Sequence, residues 1–153
     1  MKYVFPIVPA NSAPIWIASV VSILLLGVMA LLIFNAYASR SVRFELDPSG
    51  LKISGDLYAR FIPAAALQLD QISALNLRRD EQYRPKWRTN GVGMPGYSAG
   101  WFKLRNGEKA LVFVTDPGRV VRLPTTDGYS VLISVAVPDK FIRVCRETIR
   151  RTG

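Results

Sequence analysis

Residues 97–114 read YSAGWFKLRNGEKALVFV, two mainly apolar runs on either side of an Asn-Gly pair. Asn106 and Gly107 form a dipeptide favoured in a type I′ turn, because both central residues of that turn need positive φ. The first run is expected to form a strand at 97–104 and the second a strand at 110–114. This stretch therefore predicts a β-hairpin, and with it a mainly-β domain.

Short strands separated by turns extend the pattern on both sides of the hairpin. Apolar runs bounded by turn residues predict further strands at 42–47, 51–54, 58–62, 72–77, 119–123 and 129–134. One helical turn is expected at 64–67, and residues 78–96 are expected to be irregular. Together these elements predict about seven strands, arranged as a barrel or a sandwich.

The chain after Pro138 has the pattern of an amphipathic helix. Its apolar residues recur with the i, i+3, i+4, i+7, i+8 spacing of one helix face: Phe141, Val144, Cys145, Thr148 and Ile149. Such a helix can bury its apolar stripe only against the preceding strands, so it is expected to close the domain. Cys145 is expected to be a small buried apolar residue rather than a nucleophile.

A long uncharged segment precedes the domain. Residues 15–34 read IWIASVVSILLLGVMALLIF, and 20 residues of helix span about 30 Å, the thickness of the hydrocarbon core of a bilayer. Ile15 and Trp16 mark one end of this segment and Phe34 and Tyr37 the other, with aromatic rings near both interfaces. The sequence predicts a short N-terminal segment (1–14), a transmembrane helix (15–38) and one domain (39–153).

A cleaved signal peptide is the alternative interpretation of the same segment. Ala36, Tyr37 and Ala38 have the small-x-small form of a cleavage site. The apolar run is longer than the usual 7–15 residues of a signal peptide, and the leader carries three prolines but only one lysine. These features favour a membrane anchor.

Charge predicts the orientation of that anchor. Lys2 alone precedes the helix, whereas Arg40 and Arg43 follow it closely, so the positive-inside rule places the domain in the cytoplasm, on the inner face of the cell membrane. The domain has 19 basic residues against 11 acidic residues, a net charge of +8. A basic domain tethered in this way is expected to sense the anionic lipid of the bilayer.

The sequence lacks the residue types and spacings that are typical of catalytic sites. The chain has no histidine and a single cysteine, and its acidic residues show no paired spacing. We therefore predict no catalytic residue, no metal site and no cofactor. Residues 91–96 match G-x-G-x-x-G, but a dinucleotide site needs a strand before the motif and a helix after it, and the sequence indicates neither.

The sharpest candidate for a binding site lies in the irregular stretch. Arg84, Lys86, Trp87 and Arg88 combine three positive charges with an indole, a combination suited to an anionic and partly apolar surface. These four residues are the predicted contact for lipid or for a protein partner. The alternative is a solvated loop with one tucked tryptophan.

The residues also resemble a known family. Strands closed by a C-terminal helix are the layout of a pleckstrin-homology (PH)-like domain, and residues 87–93 (WRTNGVG) and 96–116 (GYSAGWFKLRNGEKALVFVTD) resemble bacterial proteins with such a domain. The resemblance implies a PH-like barrel behind a membrane segment. The first predicted hairpin, residues 45–52, is short and locally acidic, so specific phosphoinositide recognition is not expected.

The function expected from this resemblance is that of a membrane-anchored binding or scaffolding module with a membrane-associated protein partner. An accessory subunit packed within a larger membrane complex is the first alternative. Weak binding of anionic lipid or nucleic acid through the basic stretch is the second. Nucleic acid ranks below lipid, because the aromatic residues fall mostly at strand positions without a clustered stacking platform.

Overall fold

The computed structural model describes residues 13–94 and 96–150. The N-terminal element is helix α1, Ala13–Ser41. Within it, the 21 residues Pro14–Phe34 are long and apolar enough to cross a membrane by length and composition. The predicted anchor ends Ile15, Trp16, Phe34 and Tyr37 are all exposed on this helix. The chain divides into two compact units between residues 37 and 38.

Nine strands and one helix build the second unit. The strands are β1 (Arg43–Asp47), β2 (Gly50–Ser54), β3 (Arg60–Pro63), β4 (Ser73–Leu75), β5 (Pro85–Met94), β6 (Tyr97–Leu104), β7 (Lys109–Val114), β8 (Val120–Pro124) and β9 (Tyr129–Ser134). Short 3₁₀ turns at Ala64–Ala66, Leu69–Gln71 and Glu81–Tyr83 connect some of them, and helix α2 (Pro138–Arg150) follows the last strand. The described residues thus contain nine strands where about seven were predicted.

The first three strands form an antiparallel sheet in the order β1-β2-β3. The Asp47 carboxylate accepts hydrogen bonds from the backbone N–H groups of Ser49 (2.7 Å) and Gly50 (3.1 Å), which closes the β1–β2 turn. A Cβ atom at residue 50 would lie 2.1 Å from the carbonyl oxygen of Ile62. Glycine is therefore required where β3 approaches β2.

The other six strands form a second sheet in the order β4-β8-β9-β7-β6-β5. The β6–β7 hairpin predicted from the sequence is confirmed. After β7 the chain forms β8, which is not adjacent to β7. An antiparallel hairpin then places β9 between β8 and β7, so that β9 lies parallel to β7. The sheet is consequently not a simple meander.

Apolar residues are buried on both faces of the six-stranded sheet. The larger core contains side chains of both sheets and of α2, with Leu51, Ile62, Phe113 and Ile133 among its members. The smaller core lies on the opposite face and includes Leu77, Phe102, Leu104, Val112 and Leu132. Because the middle of β7 and of β9 is covered on both faces, the central residues of these strands, 110–114 and 131–133, are all apolar.

Helix α2 packs through a stripe that is shifted from the predicted one, because Ile142 as well as Phe141 packs against the larger core. Cys145 and Ile149 are buried as expected, but Val144 is 40% exposed, so its assignment to the apolar face was wrong. Arg146, which lies outside the predicted apolar face, is half-buried. Its guanidinium donates hydrogen bonds to the carbonyl oxygens of Leu69 and Ile72, both at 3.1 Å. The stripe is rotated towards this arginine because the long aliphatic stem packs while the head group finds acceptors.

Two further predictions need correction. A closed barrel is not confirmed, since the described strands form two separate sheets. The stretch 78–96 is not wholly irregular, because Pro85–Met94 forms β5, the edge strand beside β6. Its charged and glycine-rich sequence gives no apolar alternation, because most of its side chains are exposed while its backbone pairs with β6.

Candidate functional site

The four residues predicted as a contact site do not act as one group. Arg84 precedes β5, and its guanidinium is held by local acceptors. It donates to the carbonyl oxygen of Leu77, to that of Arg78 (2.7 Å) and to the carboxylate of Glu81 (3.1 Å). These bonds fix the segment that covers the smaller core, so Arg84 has a structural role.

The other three predicted residues lie on β5, the edge of the six-stranded sheet. Trp87 is 65% exposed. Trp87 stands opposite Lys103 of β6, whereas Arg88 stands opposite Phe102, whose side chain belongs to the smaller core. Register shifts on either side of these two residues leave Lys86 without a directly paired residue on β6. Since opposed residues share a face, Trp87 and Arg88 point to opposite faces of the sheet.

A row of side chains crosses the sheet from Trp87. Lys103 is opposite Trp87 on one side and opposite Lys109 of β7 on the other, and Lys109 is paired in turn with Tyr129 of β9. Within the described residues, neither lysine has an acidic side chain within ion-pair distance. Like charges directly opposite each other on adjacent strands are destabilising. The pair therefore concentrates positive charge on this face.

Trp101 lies beside this row, and two nearby cationic side chains pack against its indole ring. The Nζ atom of Lys109 is 4.6 Å from the centroid of its ring, and the Cζ atom of Arg60, from the other sheet, is 5.3 Å away. Tyr129 packs edge-on against the same indole, with centroids 5.0 Å apart. A cation over an indole ring is attracted by the ring quadrupole. Two cationic groups are thus held against an uncharged ring, which leaves their positive charge unneutralised.

A cleft of about 500 Å³ opens at this position. Its walls are formed by Thr89, Asn90, Trp101, Phe102, Lys103, Gly107 and Lys109. The Oδ1 atom of Asn90 accepts a hydrogen bond from the Tyr58 hydroxyl (3.0 Å), which orients the amide. The Nδ2 group has no hydrogen-bond acceptor among the described residues, so it is available as a donor. We refer to Arg60, Asn90, Trp101, Lys103 and Lys109 as the Trp101 site.

The nearest carboxylate along the chain points away from this site. Glu108 precedes Lys109, and strand alternation directs it to the opposite face. There it forms an ion pair with Arg122 (Oε1 to Nη2, 2.8 Å) and accepts a hydrogen bond from the Ser130 hydroxyl. Burial raises the pKa of the Glu108 carboxyl, but the bonds from Ser130 and Arg122 outweigh it, and the pKa is lowered. Glu108 therefore stays ionised and paired, away from the lysine row.

The glycine-rich motif has a backbone role. A Cβ atom at Gly91 would lie 2.4 Å from the carbonyl oxygen of Ala99 on the facing strand. The motif begins within β5, and the element after it is strand β6 and not a helix. The arrangement is thus a close approach of two strands and lacks the helix N-terminus that would hold a pyrophosphate.

Sequence reasoning included Trp87 in its candidate site but missed Lys103, Lys109 and Trp101. The reason lies in the hairpin turn. Gly107 has a φ of +88°, but no described residue other than glycine has positive φ, so Asn106 does not adopt the type I′ geometry. The Leu104 N–H donates to the carbonyl of Glu108 (2.8 Å), which makes the connection three residues long. This register sets Lys103 against Lys109.

Comparison with known proteins gives one match. A family profile described as Bacterial PH domain matches residues 42–149, while no curated protein and no solved structure matches the chain. The matched range begins immediately after α1 and ends one residue before the end of α2, so it takes in both sheets and the closing helix. PH-like domains are typically binding or scaffolding modules without catalytic activity. The chain belongs to the bacterial PH domain family.

Proposed function

We propose that this protein is a single-pass membrane protein that presents its PH-like domain at the cytoplasmic face of the cell membrane as a binding or scaffolding module, without catalysis. The anchor is supported by the 21-residue apolar span Pro14–Phe34, which is longer than the apolar core of a signal peptide. Orientation is supported by the basic residues Arg40 and Arg43 after the span, against Lys2 alone before it.

The observation that carries the binding role is the exposed row on the six-stranded sheet. Trp87 is exposed beside two lysines that have no acidic partner among the described residues. In water, an exposed indole and two opposed lysines do not stabilise the folded domain. An anionic and partly apolar partner would bury the indole and offset the charge. Of the residues predicted from the sequence, Trp87 carries the proposed contact, with Lys86 and Arg88 beside it on the edge strand β5, and Arg84 helps to fix the segment before that strand.

Fractionation tests the anchor and a fusion tests the orientation. The full-length protein should pellet with membranes and resist extraction with alkaline carbonate, and a reporter active only in the cytoplasm should work after Gly153. A mature soluble form beginning near residue 39 would show that the segment is a signal peptide. A reporter active only outside the cytoplasm would reverse the orientation.

An accessory subunit of a larger membrane complex is the second candidate. It is favoured by large apolar side chains exposed on the domain, namely Leu57, Phe61, Trp87 and Val137. Size-exclusion chromatography after mild solubilisation separates the two functions. Migration with a larger assembly that is lost on Trp87→Ala but kept on Lys140→Ala, a change at an exposed polar position outside this set, supports the subunit role. Migration at the size of the protein with its detergent supports the independent module.

A further inference from the structure

We infer that the cleft of the Trp101 site binds a phosphate group, with Lys103 and Lys109 supplying the charge and Asn90 a hydrogen-bond donor. The inference rests on the proposed binding function, whose ligand chemistry it names, and not on the membrane anchor. Two sources present this chemistry: the head group of an anionic phospholipid and a soluble phosphorylated molecule.

The positive charges of the site favour an anionic ligand. Lys103 and Lys109 are directly opposed, and Arg60 approaches the same indole as Lys109. The nearby carboxylate of Glu108 forms an ion pair with Arg122 and accepts a hydrogen bond from Ser130 on the other face of the sheet. The ion pairs of the described residues leave Arg60, Lys103 and Lys109 without carboxylate partners. A phosphate monoester carries up to two negative charges and a phosphodiester carries one. Both present charged oxygens in a tetrahedral arrangement, which matches donors converging from several directions better than a planar carboxylate does.

Two of the three cations of the site, Lys109 and Arg60, are held in position before a ligand arrives. Lys109 and Arg60 lie against the Trp101 ring at 4.6 and 5.3 Å, and Tyr129 packs edge-on against that ring. Stacking against an aromatic surface restricts two otherwise flexible side chains. Less side-chain entropy is then lost when the phosphate binds, because part of the ordering has already occurred.

Asn90 supplies an oriented hydrogen-bond donor to the site. Its Oδ1 atom is occupied by the Tyr58 hydroxyl, and this bond turns the Nδ2 group outward from that contact. The Nδ2 hydrogens have no acceptor among the described residues, and Asn90 lines the same cleft as both lysines. An amide donor and two ammonium groups around one cleft are the components of an anion site.

The size of the cleft favours a small phosphate ligand over a nucleic acid. The cavity of about 500 Å³ has one indole at its wall, whereas single-stranded nucleic acid is bound along grooves with successive stacking aromatics. The volume lies within the 300–1,000 Å³ range of small-molecule sites. It accommodates a phosphate together with a compact polar group such as glycerol.

Calorimetric titration of the full-length protein in a non-ionic detergent tests the site, since this detergent contributes no phosphate. The two ligands are inorganic phosphate and glycerophosphoglycerol, the head group of phosphatidylglycerol without its acyl chains, each at constant ionic strength. Lys103→Gln with Lys109→Gln should weaken binding by at least about tenfold. Lys140→Gln with Arg143→Gln is the matched control, because it removes two exposed charges from α2, a helix that contributes no residue to the walls of the cleft.

A second variant guards against a change in folding. Asn90→Asp keeps the shape of the side chain and the acceptor for Tyr58, but replaces the amide donor with a repelling carboxylate, so binding should again weaken. Tighter binding of glycerophosphoglycerol than of inorganic phosphate assigns the site to lipid, and the reverse assigns it to a soluble ligand. The inference is overturned if neither ligand binds saturably up to about 10 mM, or if the lysine variant and its control bind alike. Neither result would affect fractionation with membranes.

Discussion

Glu108 is the ionisable residue with the clearest stabilising role in the domain. Its carboxylate joins Arg122, at 2.8 Å, to the Ser130 hydroxyl, and both charged side chains are largely buried. The Arg122 guanidinium also stacks on Tyr83, with its Cζ atom 5.2 Å from the ring centroid. These contacts connect β7, β8 and β9 to the segment that covers the smaller core. Loss of the carboxylate charge would leave the arginine without its counter-ion.

Glu108→Gln should lower the free energy of unfolding by about 1–2 kcal/mol at neutral pH, because a charge-assisted bond becomes a neutral one. The pKa of Glu108 is lowered in the folded state from an ordinary value of 4.5. Its stabilisation is therefore complete above pH 4.5 and is lost as the pH falls through the folded-state pKa. Denaturant melts at several pH values measure this. The variant should show a flatter decline below pH 4.5, and a decline identical to that of the wild type would contradict this role for Glu108.

Cys145 provides a second test at the residue scale. It is fully buried in the larger core, and burial raises the pKa of its thiol to about 11. The folded protein should therefore not react with a thiol reagent at pH 8, whereas the unfolded protein should react once. The matched control is Val144→Cys with Cys145→Ala, which moves the thiol to the exposed neighbouring position and should react in the folded state. Rapid reaction of native Cys145 would show that α2 opens readily.

Cys145 and Arg84 show which properties of single residues could be predicted from the sequence. The burial of Cys145 followed from its place in a helical apolar stripe, a local pattern. The bonds that occupy Arg84 could not be inferred, because the carbonyl groups of Leu77 and Arg78 reach its guanidinium only after the chain folds over the smaller core. Charge alone does not distinguish a structural arginine from a free one.

At the scale of elements, helix α2 tests whether the domain depends on its closing helix. Ile149 is 8% exposed and Val144 is 40% exposed on the same helix. Ile149→Asp should destabilise the domain by about 3 kcal/mol or more, because it buries an unpaired charge. Val144→Asp makes the same chemical change at the exposed position and should cost no more than about 0.5 kcal/mol. Thermal unfolding of both variants checks the contrast, and equal effects would contradict the packing of α2.

The length of the loop between β6 and β7 determines which side chains are paired across the two strands. A two-residue loop at Asn106 and Gly107 would pair Lys103 with Ala110. The three-residue loop pairs Lys103 with Lys109 instead. Side chains alternate between faces along a strand, so a shift of one residue changes which side chains meet. The hairpin was predictable from its sequence, whereas the lysine pair depended on the type of turn.

At the scale of the whole molecule, the core belongs to the second unit alone. The buried residues of the described chain lie between Gly50 and Ile149, and the apolar span of α1 is entirely exposed. The fragment 39–153 should therefore fold without the helix and show a circular dichroism spectrum dominated by strand with a modest helical part. Its thermal transition should match that of the domain in the full-length protein. A fragment without a cooperative transition would contradict this division of the core.

The sequence by itself determined the features that depend on local pattern. The apolar helix, most strands, the amphipathic closing helix and the resemblance to bacterial PH domain proteins all follow from periodicity, turn residues and short motifs. Only the tertiary structure decided the two sheets, the parallel pairing of β7 with β9 and the role of β5 as an edge strand. These features depend on backbone hydrogen bonds between distant segments, which a one-dimensional pattern does not specify. The Trp101 site belongs to this second group, since strand register and the approach of Arg60 from the other sheet bring its residues together.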